Sequence, residues 1–379
     1  MLHAVTYPGL SALPDAYARV FEDGSRQSFF LTLDWFRNFF ATVVQEPQHE
    51  YIVGVETDDG RPVAVMPMMW APGRNGVLSP VSLSGASNYY TCCFAPALSD
   101  AQDTSAAARA LAAGLWSHRR QWDVVTLQPL DRGAAIYADL ARALRDVGMV
   151  TQTYFCFGNW YLEVAGRSYL EYLESLSSVM RKNVPYNIRR LEKSGRSHIE
   201  IVTREAELES ALDAYEKVYN SSWKIPEPYP HFIRGLARLA ARNGWLRMGL
   251  IHIDGEPAAA QIWIVHGGVA SIYKIAYDER YAKLSTGTVL TSKLMQHVID
   301  VDKVRIVDYL SGDDDYKKMW MSHRREFWGI VGFNPRSLRG AAQIVRHVGG
   351  RFGKQLLERT KRRWARASAR ADGEAISRD

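Results

Sequence analysis

The strongest constraint in this sequence is an order of elements that occurs twice. Strand-like Tyr51–Glu56 and Pro62–Trp70 flank the turn Asp58-Asp59-Gly60-Arg61, and strand-like Trp245–Ile253 and Glu256–Val265 flank Asp254-Gly255. Asp-Gly between two apolar runs is a strong local signal for a β-hairpin, because both central residues of its tight turn take positive φ. The turns also read on alike: Asp59-Gly60-Arg61-Pro62 leads into Val63-Ala64-Val65, and Asp254-Gly255-Glu256-Pro257 into Ala258-Ala259-Ala260. Helices are predicted over Phe29–Phe40 (capped by Thr32 or Asp34), Ala101–Trp116 and Ala134–Val147, with a strand at Asp123–Leu127. Gly148 is the expected C-terminal cap. The later half offers helices at Tyr169–Leu176, Val179–Lys193 (broken by Pro185), Glu205–Asn220, Phe232–Asn243 and Gly287–Val301. Its strands are His198–Val202, Ser271–Tyr277, Arg305–Leu310 and Phe327–Phe333. The echo points to a duplicated unit, although hairpins this short also recur in unrelated sheets.

Length and composition fit that reading. A chain of 379 residues with 47% hydrophobic and 23% charged residues has material for two domains, not for a disordered or fibrous chain. No window reaches a membrane span, and the start lacks the basic and apolar regions of a secretory signal. Cys92, Cys93 and Cys156 form neither a disulfide framework nor a zinc pattern, so a reducing cytoplasm is expected and no metal. The net charge of +6 is uneven: residues 336–379 hold 12 Lys/Arg against 4 Asp/Glu, and the rest 35 against 37. A nucleic-acid surface on the body therefore cannot be argued from charge. The tail, with Leu338, Ala341, Val345, Val348, Phe352 and Leu356 at steps of mainly three and four, reads as a basic amphipathic stretch. It suits an anionic membrane surface, nucleic acid or a partner's groove, or simple packing on the body.

One constellation carries chemistry. Strand Ser271–Tyr277 feeds a loop ending Lys283-Leu284-Ser285-Thr286-Gly287-Thr288 and then a helix. Free amides and the helix dipole at such a junction attract anions. Ser285 and Thr286 can cap the helix, and Gly287 lets a phosphate approach, although an ordinary capped helix has the same look. Strand Arg305–Leu310 runs into Ser311-Gly312-Asp313-Asp314-Asp315-Tyr316-Lys317-Lys318-Met319-Trp320. The three acids are expected in a first helical turn, which places Tyr316 and Lys317 beside the strand end, where an acid or oxyanion partner is useful. His266 is either a base facing the acceptor or a turn histidine. Tyr273 and Tyr277, four apart on one strand, are expected on one face. Arg181 and its basic neighbours are either a solvated helix face or a contact for an anionic donor. Trp223, before the loop Pro226-Glu227-Pro228-Tyr229-Pro230, is either packed on the surface or turned to the acceptor.

These runs carry a resemblance. Tyr273-Lys274-Ile275-Ala276-Tyr277-Asp278, Tyr281–Gly287, Leu310-Ser311-Gly312-Asp313 with Tyr316, Lys317 and Trp320, and upstream Leu176–Lys182 with Arg189–Gly195, resemble the GNAT-type acyltransferase domain of cellulose- and exopolysaccharide-associated bacterial proteins. They resemble Fem-type aminoacyl transferases more distantly. The resemblance spans about Tyr169 to Phe333 and more weakly the first half. It implies an α+β chain of two tandem GNAT-like domains, residues 1–165 and a catalytic 166–335, with mixed sheets flanked by helices and a basic extension at 336–379.

The same resemblance implies an N-acyltransferase. The donor is acyl-CoA or an acyl-carrier-protein thioester, held by Ile275, Tyr277, Lys283, Ser285, Thr286, Gly287 and Thr288. An amine on a sugar, lipid or polyamine attacks the thioester directly. Tyr316, Lys317 and His266 are the expected catalytic residues; Trp223, Tyr273, Asp315, Trp320 and Arg181 are expected at the substrate. In many members a Tyr after the fifth strand protonates the thiolate, and Tyr316 matches it; Lys317 matches a Lys that supports the Fem-type reaction. The loop departs from the usual Gln/Arg-x-x-Gly-x-Gly/Ala by keeping one glycine. Two other readings follow: an aminoacyl-tRNA-dependent Fem-like transferase, and a non-catalytic accessory protein of polysaccharide biosynthesis. The expected location is the cytoplasm or the inner membrane's periphery through residues 336–370.

Overall fold

In a computed structural model the residues described are 1–347, apart from 74, 75, 77 and 101. The first half comprises β1 (Leu2–Tyr7), α1 (Ala18–Ser25), α2 (Leu33–Val43), β2 (His49–Thr57), β3 (Pro62–Ala71), β4 (Ser82–Gly85), β5 (Ala97–Leu98), α3 (Thr104–Ser117), β6 (Val124–Asp131), α4 (Ala135–Asp146) and β7 (Val150–Glu163). The second comprises α5 (Tyr169–Ser175), α6 (Ser178–Lys193), β8 (Ser197–Val202), α7 (Leu208–Asn220), α8 (Pro230–Arg242), β9 (Leu246–Ile253), β10 (Glu256–His266), β11 (Val269–Tyr277), α9 (Thr286–Asp300), β12 (Ile306–Asp308), α10 (Asp315–Lys318) and β13 (His323–Phe333).

Local chemistry explains much of this. Thr32, not Asp34, caps α2, its hydroxyl accepting from the Trp35 amide. The second hairpin turns through Asp254 and Gly255, both at positive φ, which a two-residue turn requires. Helix α6 runs unbroken through Pro185, a correction to the break expected there. Its buried Met180, Val184 and Leu191 share a core with α9, and that burial offsets the missing amide.

All thirteen described strands join one sheet in the order β1-β2-β3-β4-β6-β13-β7-β12-β11-β10-β9-β8, with β5 beside β3. The two halves exchange their last strands. Strand β13 pairs with β6 of the first half, and β7 pairs with β12 of the second. The exchanged strands meet antiparallel at mid-sheet, from His323 opposite Tyr161 to Phe333 opposite Val150. One core cluster, rich in aromatics from Trp35, Phe36 and Phe39 to Tyr215 and Phe232, is shared by both halves. The others are private, one under α3 and α4, one under α5, α6 and α9.

Two details of β11 shape the site. Its parallel pairing with β12 stops after Ser271 opposite Asp308, so the strands splay. Its pairing with β10 also slips, Lys274 lying opposite Ile262 but Ile272 opposite Trp263, which leaves Tyr273 as an extra, bulged residue. The bulge reverses the alternation. Tyr273 packs with the shared core and Tyr277 with the second half's own core, so they lie on opposite faces, contrary to the spacing argument. The helix over residues 338–347 leaves Leu338 and Val345 exposed, and the rest of the tail lies outside the described residues.

Candidate active site at the splay of the second half

Where β11 and β12 part, a cavity opens on each face of the sheet. One, of about 310 Å³, lies against the start of α9 and is lined by Met180, Trp223, Ile275, Tyr277, Gly287, Thr288, Tyr309, Tyr316 and Trp320 among others. The other, of about 190 Å³, is lined by Tyr89, Tyr90, Cys92, Lys224, Tyr273, Lys274, Ser311 and Lys317. Ile275, Tyr309 and Tyr316 belong to both. The cavities therefore meet at the bulged edge of β11, beside Tyr316.

The first cavity suits an anionic, partly apolar ligand. Helix α9 starts at Ser285, which is left-handed (φ 55°) and supplies no side-chain cap, a correction to the capping role expected of Ser285 and Thr286. The glycine that such a conformation favours is replaced here by a serine. The Thr286 hydroxyl is buried without a hydrogen-bond partner. The first amides of α9, which no carbonyl of the helix can reach, stay available to a ligand. Gln261, buried in β10, anchors this turn: its amide donates to the Gly287 carbonyl (3.2 Å) and the Thr291 hydroxyl (2.8 Å).

Tyr316 sits at the junction. Its ring meets Tyr309 edge-on at 5.7 Å between centroids. Burial, with the Asp314 carboxylate adding to it, pushes its phenol up to about 12, so it carries a proton throughout the neutral range. Lys317 is buried beside it, its ammonium donating to the Ser311 carbonyl and 3.3 Å from Asp314.

The second cavity is cationic. Lys274 pairs with Glu227 at 2.6 Å. Burial would raise the Glu227 carboxyl, but Lys274, Tyr90 and Tyr219 outweigh it and hold the group below the usual carboxylate range. The Tyr90 hydroxyl donates to Glu227 (2.5 Å), and the Tyr273 hydroxyl donates to the Tyr90 carbonyl (3.0 Å). Burial, assisted by Lys274, pushes Lys224 down to about 8.

Several expected site residues lie elsewhere. His266 is five residues along β10 from Gln261, the partner of Ile275, roughly 16 Å at the usual rise. It lines a different cavity, packs edge-on to Trp245, and is pushed down by burial, so the acceptor-base role has no geometric support. Asp315 heads α10 at the surface and faces neither cavity. The acids divide: Asp313 pairs with Arg324 at 2.7 Å, Asp314 faces Lys317, and only Asp315 lies in the first turn. Arg181 and the Lys283 side chain are exposed and line neither cavity; Lys283 offers its carbonyl to Arg190 (2.7 Å). Trp223 packs on Tyr277 in the α9 cavity (4.7 Å) instead of facing the second one. Trp320, buried, lines the α9 cavity. The sequence reading missed Lys224, Lys274, Glu227, Tyr90 and Gln261. Gln261 carried a signal, as one amide within the apolar run Ala258–Val265.

Among the described residues no group of His, Cys, Asp or Glu side chains is placed to hold a metal ion, and no helix is long and apolar enough to cross a membrane. Residues 178–318 match the model of the acetyltransferase (GNAT) domain, a span holding most of both cavities. This stretch is an acyltransferase domain of that type, and the chain is a transferase. No curated protein matches the chain closely enough to count as a relative. Solved structures share the fold. FemX is 10% identical with a TM-score of 0.57, covering 84% of this chain and 96% of its own. The C-terminal domain of a putative lysylphosphatidylglycerol synthetase from Agrobacterium fabrum is 11% identical with a TM-score of 0.52, covering 87% and 96%. A conserved protein of unknown function from Bacteroides thetaiotaomicron is 11% identical with a TM-score of 0.52, covering 82% and 92%.

Proposed function

We propose that the chain is an N-acyltransferase that binds an acyl thioester, acyl-CoA first among them, in the α9 cavity and passes its acyl group to an amine entering from the opposite face. The observation that carries this reading is the meeting of the two cavities at Tyr316, one beside an uncapped helix start and the other polar. The amides of α9 would hold the donor's phosphates, and Met180, Tyr277 and Trp320 its apolar arm. Amides on the unpaired edge of β11 would polarise the thioester carbonyl. The amine, entering as free base, forms the C–N bond as the C–S bond breaks. Tyr316 gives its proton to the departing sulfur and regains one from the new amide nitrogen, which balances the step. Lys317 supports the charge that develops nearby.

Residues 1–165 and 166–335 serve this reading as a supporting and a catalytic unit that share strands. The test is a donor panel on the purified full chain: acetyl-CoA, long-chain acyl-CoA, an acyl carrier protein thioester and aminoacyl-tRNA, read by thermal shift and by thiol release with added amines. Stabilisation of about 2.7 kcal/mol is expected at a hundredfold excess of a CoA thioester over its dissociation constant. A shift with aminoacyl-tRNA alone would move the chain to the Fem-like reading, and no shift with any donor to the accessory one.

A further inference from the structure

Three ammonium groups line the small cavity opposite α9, and they are not equivalent. Lys274 is neutralised by Glu227 at 2.6 Å, and Lys317 faces Asp314 at 3.3 Å while donating to the Ser311 carbonyl. Lys224 has no carboxylate within ion-pair distance among the described residues. It lies instead near the rings of Tyr219 (5.8 Å) and Trp223 (5.7 Å). An ammonium drawn out of water beside two like charges is costly unless an anion completes it.

We propose that this cavity takes an acceptor bearing a carboxylate or phosphate beside its amine, and that Lys224 holds the anion. This inference rests on the transfer reading and names the substrate class for it. With the anion on Lys224, the amine can turn toward Ile275 and Tyr316, where the cavities meet. The volume of about 190 Å³ equals the share of roughly six liquid waters, enough for a small amino acid or aminoalkyl phosphate. The same surplus of positive charge disfavours a polyamine, whose second ammonium would face Lys224.

Two matched pairs of amines test the idea on the full chain: glycine against glycinamide, and O-phosphoethanolamine against ethanolamine. Amine-reactive labelling of Lys224, read by mass spectrometry, is expected to fall with the anionic member of at least one pair and not with its uncharged-tail partner. Calorimetry is expected to show about tenfold tighter binding of that member, the worth of one good charge-assisted contact. Which pair responds distinguishes carboxylate from phosphate. Lys224→Met is expected to erase the preference while keeping or raising Tm, because an uncompensated buried charge is removed; acetyl-CoA affinity is expected to match the parent's. Equal labelling with all four amines, or a preference that survives in Lys224→Met, overturns the proposal. Loss of acetyl-CoA binding in the parent chain would instead count against the transfer reading.

Discussion

The two halves contain the same splay and use it differently. In the first, β4 runs parallel to β6 from Ser82 opposite Val124 to Ser84 opposite Thr126; in the second, β11 runs parallel to β12 over three pairs. The first splay is filled. The chain after β4 folds into it, the Ser87 hydroxyl donating to the Gln128 carbonyl (2.6 Å) and the Phe94 amide to the Pro129 carbonyl (2.7 Å), with the Phe94 ring fully buried. Helix α3 is closed too, since the Asp103 carboxylate accepts from the Ser105 amide. The second splay stays open, and its helix start is uncapped. The same stretch that fills the first splay carries Tyr89, Tyr90 and Cys92 into the wall of the polar cavity. One half has given up a pocket and become the wall of the other's.

Breaking the filled splay should cost most. Phe94→Ala is expected to destabilise the chain by about 3–5 kcal/mol, the usual cost of emptying a buried aromatic site, and denaturant melts measure it. Gain of a CoA site in that half would undo the contrast. Next comes Tyr316→Phe, expected to lower the turnover rate about a hundredfold with donor affinity kept, since only proton transfer is removed. Steady-state kinetics with thiol release checks it, and an unchanged rate would leave the phenol without a role. A smaller change sharpens the contrast of the helix starts. Thr288→Glu places a carboxylate in the first turn of α9, so acetyl-CoA binding should weaken about tenfold while Tm holds or rises. Smallest is the converse, Asp103→Ala, expected to cost about 1 kcal/mol of stability at α3 and to leave acyl transfer untouched.

What the sequence disclosed was local. The Asp-Gly hairpins, the helix after Ser285 and the position of Tyr316 all follow from short patterns, and the structure places them as elements or cavity walls. What it concealed was set by distant partners. Strand Val150–Glu163 went unread because it is half-buried along much of its length, between β13 and β12, and shows no clean alternation. The opposite facing of Tyr273 and Tyr277 depends on a slip against β10 that no window of β11 reveals. Lys224 becomes interesting only once a loop sets it near Lys274 and Lys317, residues far along the chain. His266 misled because a strand-end histidine looks free in sequence, whereas here it lies against Trp245.

Hydrogen exchange read by mass spectrometry, with and without acetyl-CoA, tests the central contrast most directly. Slowed exchange at the amides of Thr286–Val289 and on the β11 edge at Ile275–Tyr277, with none at Thr104–Ala107, is the predicted result. Unchanged exchange at the start of α9, or protection at α3 instead, would contradict it.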